Sequence, residues 1–510
     1  LNLKNADVLD DISEYPEHYF NTIFTDPPYN LSSKWIFEGD KPVMKQARDF
    51  MEKWSFTHEQ WQELFEQSFR VLKYGGYCVM FGIDRQLWPI QYYAQRAGFE
   101  IHQSLYWYFI SSFPKATDVS KQIDKRLGQE REIVGDYQYP DGVKRNIQKR
   151  TNTTITPYDE GYKVKNPQIT APTSDLAKIF DGYKYSVAPF KQVVETIMIF
   201  RKPTKNKSVL DDLFAWQEGD ETISPSVLNI DGGRVPINGE LDKKAFEDNH
   251  GGSDRGNKER FQKVYSGYSG DFGSAKPQGR YPAQMFADSQ AKEVIDKQSG
   301  ESKSIGGTNP HKDKARIFGE EKNRPYFNYG DLGGAARIMH TCDYEDGETD
   351  LVNYCPKVSG AERNYGLENL PDKQPEGESE GRRTERLNSL DRMGNGEITN
   401  PKPEMPMQKN THPTLKPISL CHRIMQLFKL PDEVNQKVYV PFSGTGSEII
   451  GSIYAGIKDI YGCEINQKYH EISIERIKHW KFAHQSGHKI NGSLVPSEEI
   501  IITQGTLFGQ

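Results

Sequence analysis

The chain has 510 residues, with 65 Lys and Arg against 71 Asp and Glu and a net charge of −6. Mean hydropathy is −0.76, and no apolar run approaches the roughly 18 residues of a membrane span, so no membrane partner is expected. The acidic total argues against a basic coat. It leaves room for the local positive surface that phosphate contact requires.

The opening LNLKNADVLDDISEYP has neither a basic start nor an apolar core, so no secretory signal is expected. Cys78, Cys342, Cys355, Cys421 and Cys463 are widely spaced without a C-x-x-C, which points to a reducing, cytoplasmic location rather than a disulfide framework. His340, Cys342 and Cys355 fall short of the four closely spaced ligands of a closed zinc site, so no metal is expected.

In chain order, NTIFTD (Asn21–Asp26) is an apolar run between turn residues and reads as a strand. From Asn30 to Thr57 a polar stretch carries Trp35 and Phe50. It reads either as a loop closing over a bound base or as ordinary surface. HEQWQELFEQSFRVLKYGG spaces Trp61, Leu64, Phe65, Phe69 and Leu72 for one helical face, with a stop at Gly75-Gly76. YCVMFG is then a buried strand, Gln86–Ala97 a helix ended by Gly98, and IHQSLYWYF and ETIMIFRKP (Glu195–Pro203) further strands. Strands alternating with helices predict an α/β fold with a parallel sheet.

Residues 201–405 change texture, rich in Gly, Pro, Asn, Asp and charge; 241–280 and 371–408 are polar and turn-rich. They read as an inserted recognition module with flexible parts. Compact alternation returns over 406–485. A helix in PISLCHRIMQLFKL precedes strand and glycine turn in KVYVPFSGTGS, helix EIIGSIYAG, strand DIYGCEI and helix KYHEISIERIKHW. Residues 486–510 form a tail.

Three constellations carry chemistry. Asp26-Pro27-Pro28-Tyr29 follows a strand end, where open α/β sheets bind ligands. Proline removes backbone donors and leaves acceptors, so Asp26 and the Pro27 carbonyl can hold one amino group while Tyr29 stacks on a planar ring. The plain alternative is an Asp-Pro turn with a solvent-facing tyrosine. In Phe442-Ser443-Gly444-Thr445-Gly446-Ser447, glycines let a ligand approach a helix start, and Glu464, closing the next strand in GCEI, can accept from ribose hydroxyls. Without a ligand the same glycines make a packing turn. His412-Pro413-Thr414-Leu415-Lys416-Pro417 opens the helix before that strand and reads either as a polar-end holder or as a Pro-rich cap.

DPPY, a long intervening stretch, HPTLKP, F-x-G-x-G and GCE, in this order, resemble the β class of S-adenosyl-L-methionine-dependent amino DNA methyltransferases, the adenine-N6 and cytosine-N4 family. SSFPKATDVSKQIDK, VAPFKQVVETIMIFRKP and LNIDGGRVP are similar to segments of phage and prophage members. The likeness covers 1–200 and 406–482. It implies a Rossmann-like methyltransferase sheet, circularly permuted: a catalytic half in 1–200, an inserted target-recognition region in 201–405, and a cofactor-binding half in 406–485.

Mapped onto this chain, the resemblance gives Asp26, Pro27, Pro28 and Tyr29 the grip on a flipped base. Phe442, Gly444 and Gly446 become the S-adenosylmethionine loop, and Glu464 the ribose acid. His412, Thr414 and Lys416 flank the methionine moiety, and Asp7 lies near the cofactor adenine. One departure stands out. Relatives carry Asp-Pro-Phe before the glycine turn, where this chain has Val440-Pro441-Phe442. Either another carboxylate substitutes, with Glu448 the candidate, or cofactor binding is weakened.

The implied activity is site-specific methylation of adenine N6 in double-stranded DNA by base flipping, since cytosine-specific relatives more often carry Ser in place of the Asp. A homodimer and a cognate restriction enzyme are the protein partners such enzymes suggest. An orphan enzyme of a mobile element fits equally well. Phosphate contacts are expected from Lys144, Arg145, Lys149, Arg150, Lys163 and Lys165, or from Arg201, Lys202, Lys205 and Lys207. The rival readings are a cytosine-N4 enzyme, an RNA methyltransferase, and a DNA-binding protein with a degenerate catalytic domain. A dinucleotide oxidoreductase leaves DPPY and HPTLKP unexplained.

Overall fold

The computed structural model describes residues 1–28, 33–39, 41–46, 56–109, 116–136, 168–186, 189–235, 281–287, 289–299, 302–303, 308–309, 326–327, 332–333, 340–341, 360–367, 370, 409–412, 415–485 and 503–504. Contacts divide the chain into two units, Leu1–Ser111 with Val194–Gln510, and Ser112–Val193.

The larger unit is built on a mixed sheet. Its strands are β1 (Asn2–Lys4), β2 (Phe20–Thr25), β3 (Leu72–Gly82), β4 (Leu105–Tyr108), β5 (Val194–Arg201), β6 (Met285–Ala287), β7 (Lys437–Val440) and β8 (Asp459–Cys463). In space they run β6-β4-β5-β3-β2-β7-β8-β1, with His340–Thr341 beyond β6 and Thr503–Gln504 beyond β1. From β3 to β1 every pairing is parallel. β5 runs antiparallel to β3 and β4, so the sheet is mostly rather than wholly parallel.

Helices cover both faces: α1 (Val8–Ser13), α2 (His58–Val71), α3 (Leu87–Ala97), α4 (Ile418–Phe428), α5 (Ser447–Tyr454) and α6 (Gln467–Gln485). The period-two alternation of strands decides which side chains meet which helices. Tyr77, Val79, Phe81, Ile197 and Ile199 pack with α4, α5 and α6, whereas Cys78, Met80, Met198 and Phe200 pack with α1, α2 and α3. A sheet buried on both faces explains why β2 is buried at every position and why the second half of β3, YCVMFG, is a continuous buried run.

Two boundaries differ from the sequence expectation. Helix α2 ends at Val71, not at Gly75-Gly76, and β3 runs through both glycines. The cause lies far along the chain. The Lys202 ammonium donates to the carbonyls of Phe69 (2.6 Å) and Leu72 (2.9 Å) and so closes the last turn. The IHQSLYWYF segment is interrupted into Glu100–Ile101 and Leu105–Tyr108, both paired with β5.

Lys202 is therefore buried structure and not a phosphate contact. Arg201 pairs with Glu100 (2.6 Å) and Lys205 with Asp220 (2.6 Å), so that expected basic cluster is largely consumed within the fold. The cluster from Lys144 to Lys165 lies outside the described residues, as do Phe50, Cys342 and Cys355. Trp35 lies on a strand, Ser33–Glu38, paired antiparallel with Lys41–Gln46.

The smaller unit was not foreseen as separate. It pairs Glu132–Asp136 with Gln168–Ala171 and packs helix Val119–Arg126 near helix Asp175–Ile179. The Asp124 carboxylate ties it together, accepting from Arg131 Nη1 (2.7 Å), Ser174 Oγ (2.6 Å) and the Thr173 N–H (3.1 Å). No described helix is long and apolar enough to cross a membrane.

Candidate active site

Four neighbouring parallel strands, β2, β7, β8 and β1, end on the same edge of the sheet, and each is followed by a residue singled out in the sequence. Asp26 follows β2, the Phe442–Gly446 turn follows β7, Glu464 follows β8, and Asp7 lies beyond β1. Parallel register aligns carboxyl ends, so positions far apart in the chain come to one rim. The Thr25 hydroxyl donates to the Pro441 carbonyl (2.7 Å), locking the Asp26 turn to the glycine turn.

The glycine turn has a left-handed backbone at Phe442 (φ 58°), Gly444 (φ 51°) and Gly446 (φ 86°). A Cβ on Gly444 would stand 3.0 Å from His412 Nε2, so glycine there keeps the turn close under the His412 ring. Phe442 accepts the strain without that freedom; its ring packs edge-on against Phe56 at 5.3 Å. The turn is held from below by Arg476, fully buried, whose Nη1 donates to the Thr445 carbonyl (2.6 Å) and Oγ1 (3.2 Å). Burial lowers the pKa of Arg476 to about 10.

Glu464 accepts the Gly444 N–H (2.9 Å) on one oxygen and the Asn466 N–H (2.8 Å) on the other. Burial pushes its pKa up to about 7, against the pull of those two donors. Asp7 caps α1, accepting from the Leu9 N–H (2.8 Å). Asn5 and Ala6, just before it, donate to the Glu464 carbonyl (2.7 and 3.2 Å), which places this corner beside Glu464.

Asp26 meets Lys416 directly. Lys416 Nζ lies 2.6 Å from Asp26 Oδ2 and 3.0 Å from Glu195 Oε1, with all three side chains at most 12% exposed. Burial opposes the ammonium charge, but Asp26 and Glu195 outweigh it and hold Lys416 above its ordinary pKa. Asp26 Oδ1 is buried and has no hydrogen-bond partner among the described residues. Glu448, in the first turn of α5, is also buried; burial first, then the Asp26 charge, raise its pKa to about 7. Val440, at the position where the resemblance led to an Asp being expected, is fully buried in the core.

The structure thus brings together Asp26, Pro27, Lys416, Glu448, the glycine turn, Glu464 and His412. Tyr29 and Thr414 lie outside the described residues. Sequence reasoning placed Lys416 with the cofactor motif, whereas its ammonium is engaged by Asp26 and Glu195. It missed Glu195 and Arg476. Glu195 carried a signal, a charge inside the otherwise apolar run VVETIMIF, and a buried charge requires a partner; Arg476 sits among other charges in IERIKH and carried none.

The family model described as DNA methylase, of the N6/N4 methyltransferases, matches residues 20–475. A search of curated proteins by sequence found no match. Solved structures that match this chain include TTHA0409 of Thermus thermophilus, described as a putative DNA modification methylase and solved with S-adenosyl-L-methionine. It is 11% identical, with 94% of this chain and 95% of that chain covered and a TM-score of 0.31. The M1.HpyAVI–SAM complex is 10% identical, with 93% and 100% covered and a TM-score of 0.30. PvuII DNA methyltransferase, cytosine-N4-specific, is 10% identical, with 93% and 85% covered and a TM-score of 0.32. The family match spans most of the sequence and takes in both the Asp26 turn and the glycine turn: the chain belongs to the N6/N4 DNA methylase family.

Proposed function

We propose that this protein transfers a methyl group from S-adenosyl-L-methionine to the N6 amino group of adenine in double-stranded DNA. The single observation that carries the reading is the joining of the Asp26 turn to the glycine turn through Thr25 and Pro441. A base-gripping acid and a nucleoside-cofactor turn then share one rim.

The residues suit that cofactor. Gly444 and Gly446 carry no Cβ at two left-handed positions of the turn, and Ser443 Oγ is a buried hydroxyl with no partner among the described residues. Glu464 would hold the ribose, and Glu448 would take the place of the acid missing at Val440 and face the cofactor's ammonium. When bound, the cofactor supplies an electrophilic methyl on a cationic sulfur. Asp26 Oδ1 and the Pro27 carbonyl accept the two amino hydrogens and aim the nitrogen lone pair along the cleft. Catalysis then rests on position and electrostatics, with no covalent enzyme intermediate. Cys78, Cys421 and Cys463 are free but buried, consistent with no nucleophilic role.

A target base inside a duplex must be flipped out at a cost of a few kcal/mol; stacking on Tyr29 would return about 1–3 kcal/mol. In this reading 1–200 and 406–485 supply the two halves of a permuted catalytic domain, with Ser112–Val193 a unit of its own and Met285–Ala287 of the intervening stretch joining the sheet, and the rest of 201–405 reads the target. An aspartate in DPPY favours adenine; cytosine N4 is the second reading, since the same acceptors can hold either amino group.

Methylation-aware sequencing of DNA from cells expressing the protein, beside an Asp26→Ala control, tests this directly. N6-methyladenine at one sequence, lost in the control, is expected. N4-methylcytosine would replace the adenine assignment, and unmodified DNA would remove the catalytic one.

A further inference from the structure

The arrangement around Lys416 has more acid than one ammonium needs. Lys416 is 4% exposed and lies within salt-bridge distance of two carboxylates from different strands, Asp26 after β2 and Glu195 within β5. Its Nζ also lies over the Phe81 ring at 4.8 Å. The titratable groups around it are Asp26, Glu195, Glu448 and Cys421, with Glu362 and Arg476 behind Glu448.

We propose that Glu195 is a positioning residue, the reserve counter-ion of Lys416, which keeps the buried ammonium paired whenever Asp26 takes up a proton. This rests on the methyl-transfer reading. In that reaction the amino nitrogen bonds to the methyl carbon as the carbon–sulfur bond breaks and its electron pair stays on sulfur. The nitrogen then carries one proton too many. Asp26 Oδ1 accepts it, while Oδ2 remains on Lys416.

At that instant Asp26 is neutral. With Asp26 as its only partner, Lys416 would become an uncompensated buried cation, a state strongly disfavoured in a low-dielectric interior. Glu195, already 3.0 Å away, leaves a neutral Lys416–Glu195 pair. No side chain has to move. The same logic explains why a glutamate interrupts the apolar strand VETIMIFR.

The proposal predicts redundancy, and redundancy is measurable without turnover. Asp26→Asn mimics the protonated acid, and Glu195→Gln removes the reserve. Each single variant should fold and lose little in thermal melting, because the other carboxylate still pairs with Lys416. The double variant should lose far more than the sum of the two, up to complete loss of folding, and adding Lys416→Met should restore most of it. Additive losses, or a single variant that cannot fold, overturn the proposal.

Activity supplies the second arm. With Glu195→Gln, Asp26 must neutralise Lys416 alone and becomes a weaker proton acceptor. We expect kcat to fall on the order of 10-fold, the acid limb of its pH profile to move to lower pH, and KM for DNA to change little; Glu195→Asp should lie between. An unmoved acid limb overturns the proposal. A wild-type protein without methyl transfer would instead sink the functional reading, while the melting experiment would still decide the pairing of Lys416.

Discussion

The Thr25 hydroxyl donates across two adjacent parallel strands to the Pro441 carbonyl at 2.7 Å, and that bond fastens the acidic turn to the glycine turn. Thr25 is 1% exposed and Pro441 is buried, so both ends of the bond are shielded from solvent.

Thr25→Val keeps the shape and removes the donor. Leaving the Pro441 carbonyl unsatisfied should cost about 1–3 kcal/mol. Urea unfolding measures it, and a midpoint equal to wild type would show that the bond contributes nothing.

Gly446→Ala places a Cβ at φ 86°, 3.2 Å from Ile477 Cδ1. A left-handed alanine costs about 1–2 kcal/mol before any contact. The variant should melt at lower temperature and bind S-adenosyl-L-methionine more weakly by calorimetry. Unchanged affinity would separate the turn from the cofactor.

Glu448→Gln tests the substitute for the acid missing at Val440. Burial and Asp26 bring the Glu448 pKa to about 7, so the residue gains its negative charge as pH rises through neutrality. Affinity for the cationic cofactor should therefore rise with pH across that range in the wild type. The variant should bind at least 10-fold more weakly than a surface Glu→Gln control and show a shallower pH dependence. Equal dissociation constants would return Glu448 to a purely structural role.

Glu464 predicts a pH dependence of stability in the ligand-free protein. Its folded pKa, raised by burial to about 7, lies above the ordinary value of 4.5. Between those values the folded state holds a proton that the unfolded chain has released, so stability is fully present below about 4.5 and falls as pH rises through 7. The loss is on the order of 3 kcal/mol for a shift of this size. Glu464→Gln should flatten that slope in unfolding measured at pH 5 and pH 7.5. Parallel slopes in the two proteins would contradict the burial assigned to this carboxylate.

Much of the stretch 406–485 was legible locally. A strand, a glycine turn and a helix follow one another in KVYVPFSGTGSEIIGSIYAG, and β7, the left-handed glycines and α5 appear where periodicity and turn chemistry put them. The end of α2 was not legible, because its last carbonyls are taken by Lys202, some 130 residues on. Local rules cannot see a cap delivered by tertiary contact. For the same reason Lys202, which looked like a surface charge in RKPTKNK, proved to be a buried one.

By itself the sequence determined the chemical inventory: an acid followed by prolines, a glycine turn, a spaced glutamate, and the alternation of strand and helix that makes a two-faced sheet. Only the tertiary structure decided that these ends share a rim, that Lys416 answers to Asp26 and Glu195, and that Ser112–Val193 stands as a unit of its own. The physical reason is that propensity and periodicity act over a few residues, whereas strand order and the pairing of buried charges are set by which distant surfaces exclude water from each other.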